Sequence, residues 1–374
     1  MAIISLGKLD KDFISVVVGC VACFLNRLLN QYDGTLLFKN VILSNIFISI
    51  SRFLTVIPYI ILKIRSKRIK RISDVNNIYT NDIEYIYSHK KKTIRQDKFR
   101  YILLSAIIYL TQQILFVLTI QVKTNSWIWI IIITSLFDYL IFKIKLYKHH
   151  YLSAILILLI GILIDVVLEN IQDDIINNTL YLLIKFVREI LFSLYNVLAK
   201  YVMEKKFVFV YEFSFYVGTI ILLLLGIFSI FDYKYFGIDN YEEYFKYFNS
   251  TELLVILAVI ASQIVINLSS LFTVKNNSPC HIFIMFLFGQ LAYYINFKEQ
   301  NIFAVICLFF ILFLSRVFCE IIEINFWGLS KNTKINIMKR AQTEDETNIL
   351  RSSTINSNIS NDDNLIELAE NEIY

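Results

Sequence analysis

The chain has 374 residues, of which 57% are hydrophobic and 18% charged, with a net charge of +5 and a mean hydropathy of +0.59. Soluble domains run at about 45–50% apolar and about 25% charged, so a fold wholly coated in water is excluded. With 9 Gly, 2 Pro and 5 scattered Cys, collagen-like, disordered and disulfide-framework proteins are excluded too, which leaves an integral membrane protein.

A bilayer core takes about 20 apolar residues of helix. Ten stretches fit, at residues 13–29, 40–62, 101–120, 126–142 and 152–168, then 179–203, 209–231, 253–274, 281–295 and 301–321. They are too long for barrel strands and lack period-two alternation, so the expected class is an all-α membrane protein. Residues 1–12 precede the first span. Their flank mixes Lys8 and Lys11 with Asp10 and Asp12, and no small-residue cleavage site follows the apolar run, so the span reads as an anchor. It carries Asn26 near its end. Its Cys20-Val-Ala-Cys23 spacing has no polar helix N-terminus to favour a thiolate, so redox chemistry is not expected.

The second span holds Arg52 and the fourth Asp138, two ionisable groups that could pair across the first half. Residues 63–100 form a basic segment, expected as a flexible loop or a surface for anionic lipid heads. Gln112, Gln113, Gln263 and Asn267 read as interhelical hydrogen-bond formers. His149-His150 lacks a metal-binding partner set, and no metal or other cofactor is expected. Arg316 and Glu320 read as a structural i,i+4 pair. Residues 326–374 are rich in Asn, Ser, Thr, Asp and Glu and are expected to be a disordered tail.

The sixth span is the most polar. Lys185, Glu189, Asn196 and Lys200 follow one another at spacings of 4, 7 and 4, which places them on one helical stripe with Arg188 beside it. Two readings compete. Lys185 and Glu189 could pair locally while Arg188 and Lys200 snorkel; or the stripe lines a solute pathway, with its three cations suited to an anionic or phosphate-bearing solute.

With the N-terminus in the cytosol, 25 of the 36 Lys and Arg fall in cytosolic segments and 5 in opposite ones. That bias follows the positive-inside rule and puts both termini in the cytosol. The sequons at Asn177 and Asn249 then face the lumen or exterior, as weak glycosylation candidates.

Ten spans divide into five and five: residues 13–168 and 179–325. An odd number per half forces the halves into opposite orientations, and inverted repeats place a site at their interface. The first span of each half ends alike, in Asn26-Arg27-Leu28-Leu29 and in Asn196-Val197-Leu198-Ala199-Lys200. A polar connector, Leu146 to Tyr151, leads into a span with Gly161. On these features residues 13–325 resemble the drug/metabolite transporter superfamily, especially its nucleotide-sugar-transporter-like members. The resemblance implies alternating-access transport of a small-molecule solute, in an endomembrane (Golgi or ER) or the plasma membrane. The chain departs from the family in its scarcity of Gly and in a fourth span that lacks Pro and carries Asp138.

The candidate solute-binding residues are therefore Lys185, Arg188, Glu189, Asn196, Lys200, Asn26, Arg52 and Asp138. No GxSxG, HxxxH or DxxD arrangement lies at a span end, so an enzyme is not expected. A non-transporting receptor or scaffold is the alternative. The expected partners are the lipid bilayer and a solute; the aromatic residues read as lipid-facing rather than as a nucleic-acid platform, and a homodimer is left open.

Overall fold

The computed structural model describes residues 4–6, 14–32, 41–61, 63–64, 81–118, 126–144, 146–168, 175–236, 250–296 and 302–324, with isolated residues 333 and 336. Within them the fold is helical. The helices are α1 (Ile14–Tyr32), α2 (Val41–Phe53), α3 (Asn81–Leu118), α4 (Ile130–Phe142) and α5 (Lys148–Leu168). They continue with α6 (Ile175–Lys205), α7 (Val210–Phe236), α8 (Ser250–Asn276), α9 (His281–Asn296) and α10 (Ile302–Phe318). A 3-10 turn, Ser126–Trp129, leads into α4. One short antiparallel ladder pairs β1 (Ile4–Leu6) with β2 (Ile322–Ile324), Ser5 opposite Glu323. It brings the chain before α1 and the chain after α10 to the same end of the bundle.

The bundle is apolar outside and partly polar inside. On α10, Phe303, Ile306, Phe309 and Phe310 are exposed while Ser315 is fully buried. On α7, Leu223, Ile227 and Ile230 are exposed while Ser214 is buried. Water-soluble proteins rarely expose apolar faces this extensive, and lipid accepts them without cost. Among the described residues three helical segments, Asp97–Phe116, Val210–Phe228 and Ile256–Asn276, are long and apolar enough to cross a membrane. Six shorter apolar helices accompany them, among them Ile14–Leu29 and Ile302–Phe318.

Helix pairing sets the architecture. α1 packs on α8 and α9, and α6 packs on α3 and α4. α2 packs on α7, α5 on α10, α3 on α7 and α2 on α8. Two apolar cores result. One joins Val16 and Cys20 of α1 to Ile131, Ile157, Phe283, Leu308 and Ile311. The other joins Ile102 and Ala106 of α3 to Tyr195, Val202, Phe213, Val217 and Leu271. Phe192 of α6 packs against both.

Two features depart from the reading of the sequence. The third helix does not begin near residue 101: α3 starts at Asn81, so residues 81–100, expected as part of a flexible loop, continue the helix backwards. Their lack of apolar character hides them from a search for apolar spans. The second span is also discontinuous. α2 stops at Phe53, residues 54–55 form a turn, and the helix resumes at 56–61. Pro58 accounts for the break, since its ring crowds the carbonyl four residues back, on Leu54, and it has no N–H to give. The Arg52 carbonyl instead accepts the Thr55 N–H at 3.2 Å and the Thr55 hydroxyl at 2.6 Å. The proposed tail beyond residue 324, the 169–174 connector and Asn249 lie outside the described residues, apart from residues 333 and 336.

Gly218 is where α7 touches this break. A Cβ there would lie 2.7 Å from the Phe53 nitrogen and 2.8 Å from the Arg52 Cβ. Backbone cannot step aside as a flexible side chain can. Gly218→Val should therefore destabilise the bundle by about 1–3 kcal/mol, the usual range for overpacking; a thermal melt in detergent that matches the unaltered protein would contradict this packing.

Candidate solute site

The stripe on α6 is buried along its whole length: Lys185, Arg188, Glu189, Ser193, Asn196 and Lys200 all lie inside the bundle. α6 can hold it because its apolar residues leave on other faces, with Leu183, Phe186 and Val187 exposed. The stripe runs where α6 meets α3, α4 and α8.

Its upper part is an ion pair. Arg188 Nε donates to Glu189 Oε1 at 3.0 Å, and Arg188 Nη2 bridges to the same oxygen. The Arg188 guanidinium also stands 5.4 Å from the ring centre of Phe116 on α3. Of the two partners the sequence offers Glu189, Lys185 and Arg188, the adjacent Arg188 forms an ion pair with it. Ser193 Oγ donates to the Ile130 carbonyl on α4 at 3.4 Å. Asn196 Nδ2 turns back to the Phe192 carbonyl at 2.9 Å. At the lower end Lys200 Nζ donates to the Asn277 carbonyl at 2.7 Å, lies 3.6 Å from Glu204, and stands 5.7 Å from the Phe142 ring centre. Lys200 therefore ties α6 to the turn that follows α8.

Asn26, whose sequence context is similar to that of Asn196, behaves differently. It donates to Gln263 Oε1 at 3.4 Å and accepts from Ser262 Oγ at 2.7 Å, both on α8. Asn267 Nδ2 donates to Ser51 Oγ on α2 at 2.8 Å. Gln263 and Asn267 thus bond between helices, as their sequence positions suggested. Gln112 does not follow suit with its carbonyl: Oε1 is buried without a hydrogen-bond partner.

Arg52 and Asp138 are not a pair. Arg52 Nη1 donates to the Tyr195 hydroxyl at 2.7 Å, and its guanidinium lies over the Tyr109 ring at 4.0 Å and the Tyr195 ring at 5.3 Å. Asp138 Oδ2 takes a long contact of 3.8 Å from Cys280 Sγ, whose other neighbour is Ser135 Oγ at 3.6 Å. Asp138 Oδ1 is buried without a partner. Aromatic rings serve the cation and a thiol serves the acid, so each group found a solution on its own side of α6.

The expected Arg316–Glu320 pair is also replaced. α10 ends at Phe318, and Glu320 stands at φ 59°, outside the helical register that an i,i+4 pair needs. Its carboxylate instead reaches His149 Nε2 at 3.1 Å and His150 Nε2 at 3.7 Å. These three residues offer metal-type ligand atoms within 4.8 Å of one another. However, the Tyr147 N–H donates to His150 Nδ1 at 3.2 Å, which puts the proton of the neutral ring on Nε2, the atom that would have to be bare to bind an ion. The cluster reads as a clamp between α5 and the end of α10. Cys20 and Cys23 are free thiols on α1. Asn177 lies in the first turn of α6, and its side chain is outside the described set; Asn249 is wholly outside it.

The structure therefore places Lys185, Arg188, Glu189, Asn196 and Lys200 along one buried seam, and Arg52 beside it through Tyr195. Asp138, on α4, lies within electrostatic reach of Lys200 at the lower end of the seam, and Asn26 sits apart on α1. Tyr109, Tyr195 and the break before Pro58 were not singled out from the sequence. Only Pro58, one of two prolines in the chain, carried a signal that could have marked them. Comparison with family models and with curated proteins finds no match.

Breaking a buried ion pair from one side costs about 3–5 kcal/mol, because the remaining charge is stranded; removing both charges costs far less. Glu189→Gln should therefore lower the melting temperature and the yield of monodisperse protein sharply, and the double change Arg188→Gln with Glu189→Gln should recover much of the loss. Equal losses in the single and double variants would show that the pair is not what holds this seam.

Proposed function

We propose that the chain is a multi-pass membrane transporter that moves an anionic or phosphate-bearing metabolite by alternating access between two inverted five-helix halves. The observation that carries this reading is the buried ionisable stripe on α6. Charges in a bundle with an apolar exterior are expensive and characteristically line a solute path or pair with each other. A receptor or scaffold has no need of three cations and an acid on the helix that meets α3, α4 and α8.

The pairing of helices supports the inverted repeat. Exchange each helix with the one five places along: α1 on α8 becomes α6 on α3, and α1 on α9 becomes α6 on α4. Likewise α3 on α7 becomes α8 on α2, while α2 on α7 and α5 on α10 map onto themselves. All of these pairs occur. Such an exchange is what a pseudo-two-fold axis between the halves requires, and it sets the site at their interface. The β1–β2 ladder supports an even number of crossings with both ends of the bundle on one side, which the charge bias assigns to the cytosol. The architecture agrees with membership of the drug/metabolite transporter superfamily and with a nucleotide sugar or sugar phosphate as solute.

Proteoliposomes holding the purified chain should take up or exchange at least one member of a panel of nucleotide sugars and sugar phosphates, and organic cations should not compete. Arg188→Gln with Glu189→Gln should fold yet lower the flux at least tenfold. No flux for any solute, with the protein folded and inserted, favours the receptor or scaffold reading. Orientation is checked separately: a single cysteine placed at residue 90 should resist membrane-impermeant thiol reagents applied to intact cells, and ready labelling would overturn the cytosolic assignment.

A further inference from the structure

The guanidinium of Arg52 is a buried charge that meets phenols rather than a carboxylate. It is 2% exposed, so water does not serve it. Its Nη1 donates to a neutral phenol, the Tyr195 hydroxyl, at 2.7 Å. The faces of Tyr109 and Tyr195 supply cation–π attraction, which acts on the plane of the guanidinium. Nε has no hydrogen-bond partner, and no carboxylate among the described residues lies within 4.0 Å of the group.

Two further orphaned polar atoms flank the same place. Gln112 Oε1 on α3 is buried and unpartnered, one helical turn from Tyr109, whose ring carries the guanidinium. Ser214 Oγ on α7 is buried and unpartnered, one turn from Gly218, whose Cα meets the backbone of Arg52 and Phe53. One turn is about 5.4 Å. These three helices, α2, α3 and α7, pack on one another, and each carries a buried polar atom without a hydrogen-bond partner. In a folded chain such groups are nearly always satisfied, by protein, by water or by a bound ion.

The backbone points the same way. α2 is interrupted immediately after Arg52, at residues 54–55. In the span read from the sequence, residues 40–62, Arg52 is ten residues from one end and twelve from the other, so it sits about 15–18 Å from either surface, close to the midplane. Interrupted helices near the midplane are where membrane transporters form their ion and substrate sites. That depth also keeps lipid headgroups away.

We infer that Arg52 is the centre of an anion-binding site, in which its guanidinium edge, the Tyr195 hydroxyl, the Ser214 hydroxyl and the Gln112 amide hold a compact oxyanion such as a phosphate or carboxylate group. Arg presents its donors as a fork that matches two oxygens of such an anion. Ser214 donates its hydroxyl proton to the anion, and Gln112 turns its amide NH₂ to it. Gly218 keeps α7 close enough for Ser214 to reach. The inference relies on the transport reading only for what bears the anion, a water-borne solute rather than a lipid.

Inorganic phosphate is the probe. The full chain in phosphatidylcholine nanodiscs should show a saturable rise in melting temperature with phosphate at constant ionic strength. Arg52→Gln should weaken the apparent affinity at least tenfold, and Arg52→Lys, which keeps the charge and loses the fork, about as much. Ser214→Ala and Gln112→Leu should weaken it about threefold or more, while leaving the phosphate-free melting temperature unchanged or higher, since each removes an unsatisfied buried group. These two variants decide the matter if the Arg52 variants do not fold. Lys148→Gln, which removes an exposed cation of the same sign, should leave binding unchanged. The site is overturned if the unaltered protein shows no saturable response, or if Ser214→Ala and Gln112→Leu bind phosphate as it does. A response that appears only in nanodiscs containing phosphatidic acid assigns the site to a lipid and overturns the water-borne solute. Phosphate binding that depends on Arg52 in a protein that moves none of the panel leaves the site standing and removes the transport reading instead.

Discussion

A charge that cannot reach water must find its partner inside the protein, and the arrangement of this bundle follows from that constraint. Much of its exterior is Phe, Leu and Ile, while Arg52, Asp138, Lys185, Arg188, Glu189 and Lys200 are turned inward. Each then finds a different remedy. Arg188 takes the neighbouring carboxylate of Glu189, Lys200 takes a backbone carbonyl at the α8–α9 turn, and Arg52 takes two phenol rings. These remedies are cross-links between helices as well as charge compensation. Lys200 joins α6 to the turn after α8, and Arg52 joins α2 to α3 and α6. Interior hydrogen bonds between membrane helices are worth only about 0.6 kcal/mol on average. What such contacts supply is specificity of position, because leaving a charge stranded is far costlier than any one bond is stabilising.

The two halves share helix pairings without sharing side-chain chemistry. Asn26 and Asn196 stand in similar sequence contexts, yet Asn26 bonds across to α8 while Asn196 bonds to the carbonyl one turn back. The first use locks two helices together. The second satisfies the amide locally and leaves its helix face available. The same asymmetry separates Asp138, served by the Cys280 thiol, from the Arg188–Glu189 pair. Similar helix pairings thus leave the polar residues of each half to bond in their own way, and the buried charged stripe lies on α6.

What the sequence discloses depends on the range of the interaction. The α6 stripe is visible because spacings of 4, 7 and 4 are a property of one helix, and burial of every member follows from an apolar exterior. The pair that Glu189 chooses is harder, since Lys185 and Arg188 both lie within reach and only side-chain geometry decides. Contacts such as Arg52 with Tyr195, 143 residues apart, and Glu320 with His149, 171 residues apart, leave no local trace. Hydropathy alone also misplaced the start of α3, because the segment from Asn81 to Arg100 is helical without being apolar. Pro58 did carry local information, in that a proline within an apolar span predicts a freed carbonyl four residues earlier. Its consequence, a break beside a buried arginine, becomes clear only when the distant tyrosines are in place.

The break and the two apolar cores bear on how such a bundle could move. One core gathers α1, α4, α5, α9 and α10, and the other gathers α3, α6, α7 and α8 with α2 against them. Close-packed cores tend to shift as units rather than deform, so motion concentrates at the seam between them. The described contacts across that seam include Phe192, the only α6 residue packed on both cores, and hydrogen bonds such as Ser193 to the Ile130 carbonyl and Lys200 to the Asn277 carbonyl. The packing of α1 on α8, with Ser262 Oγ donating to Asn26 Oδ1 at 2.7 Å, is the firmest contact across it. The α2 break lies on the side of the second core, where 54–55 can change angle without disrupting a continuous helix. On the transport reading, α6 lies on the boundary along which one core would rock past the other, and its buried charges are the polar groups a solute would meet there.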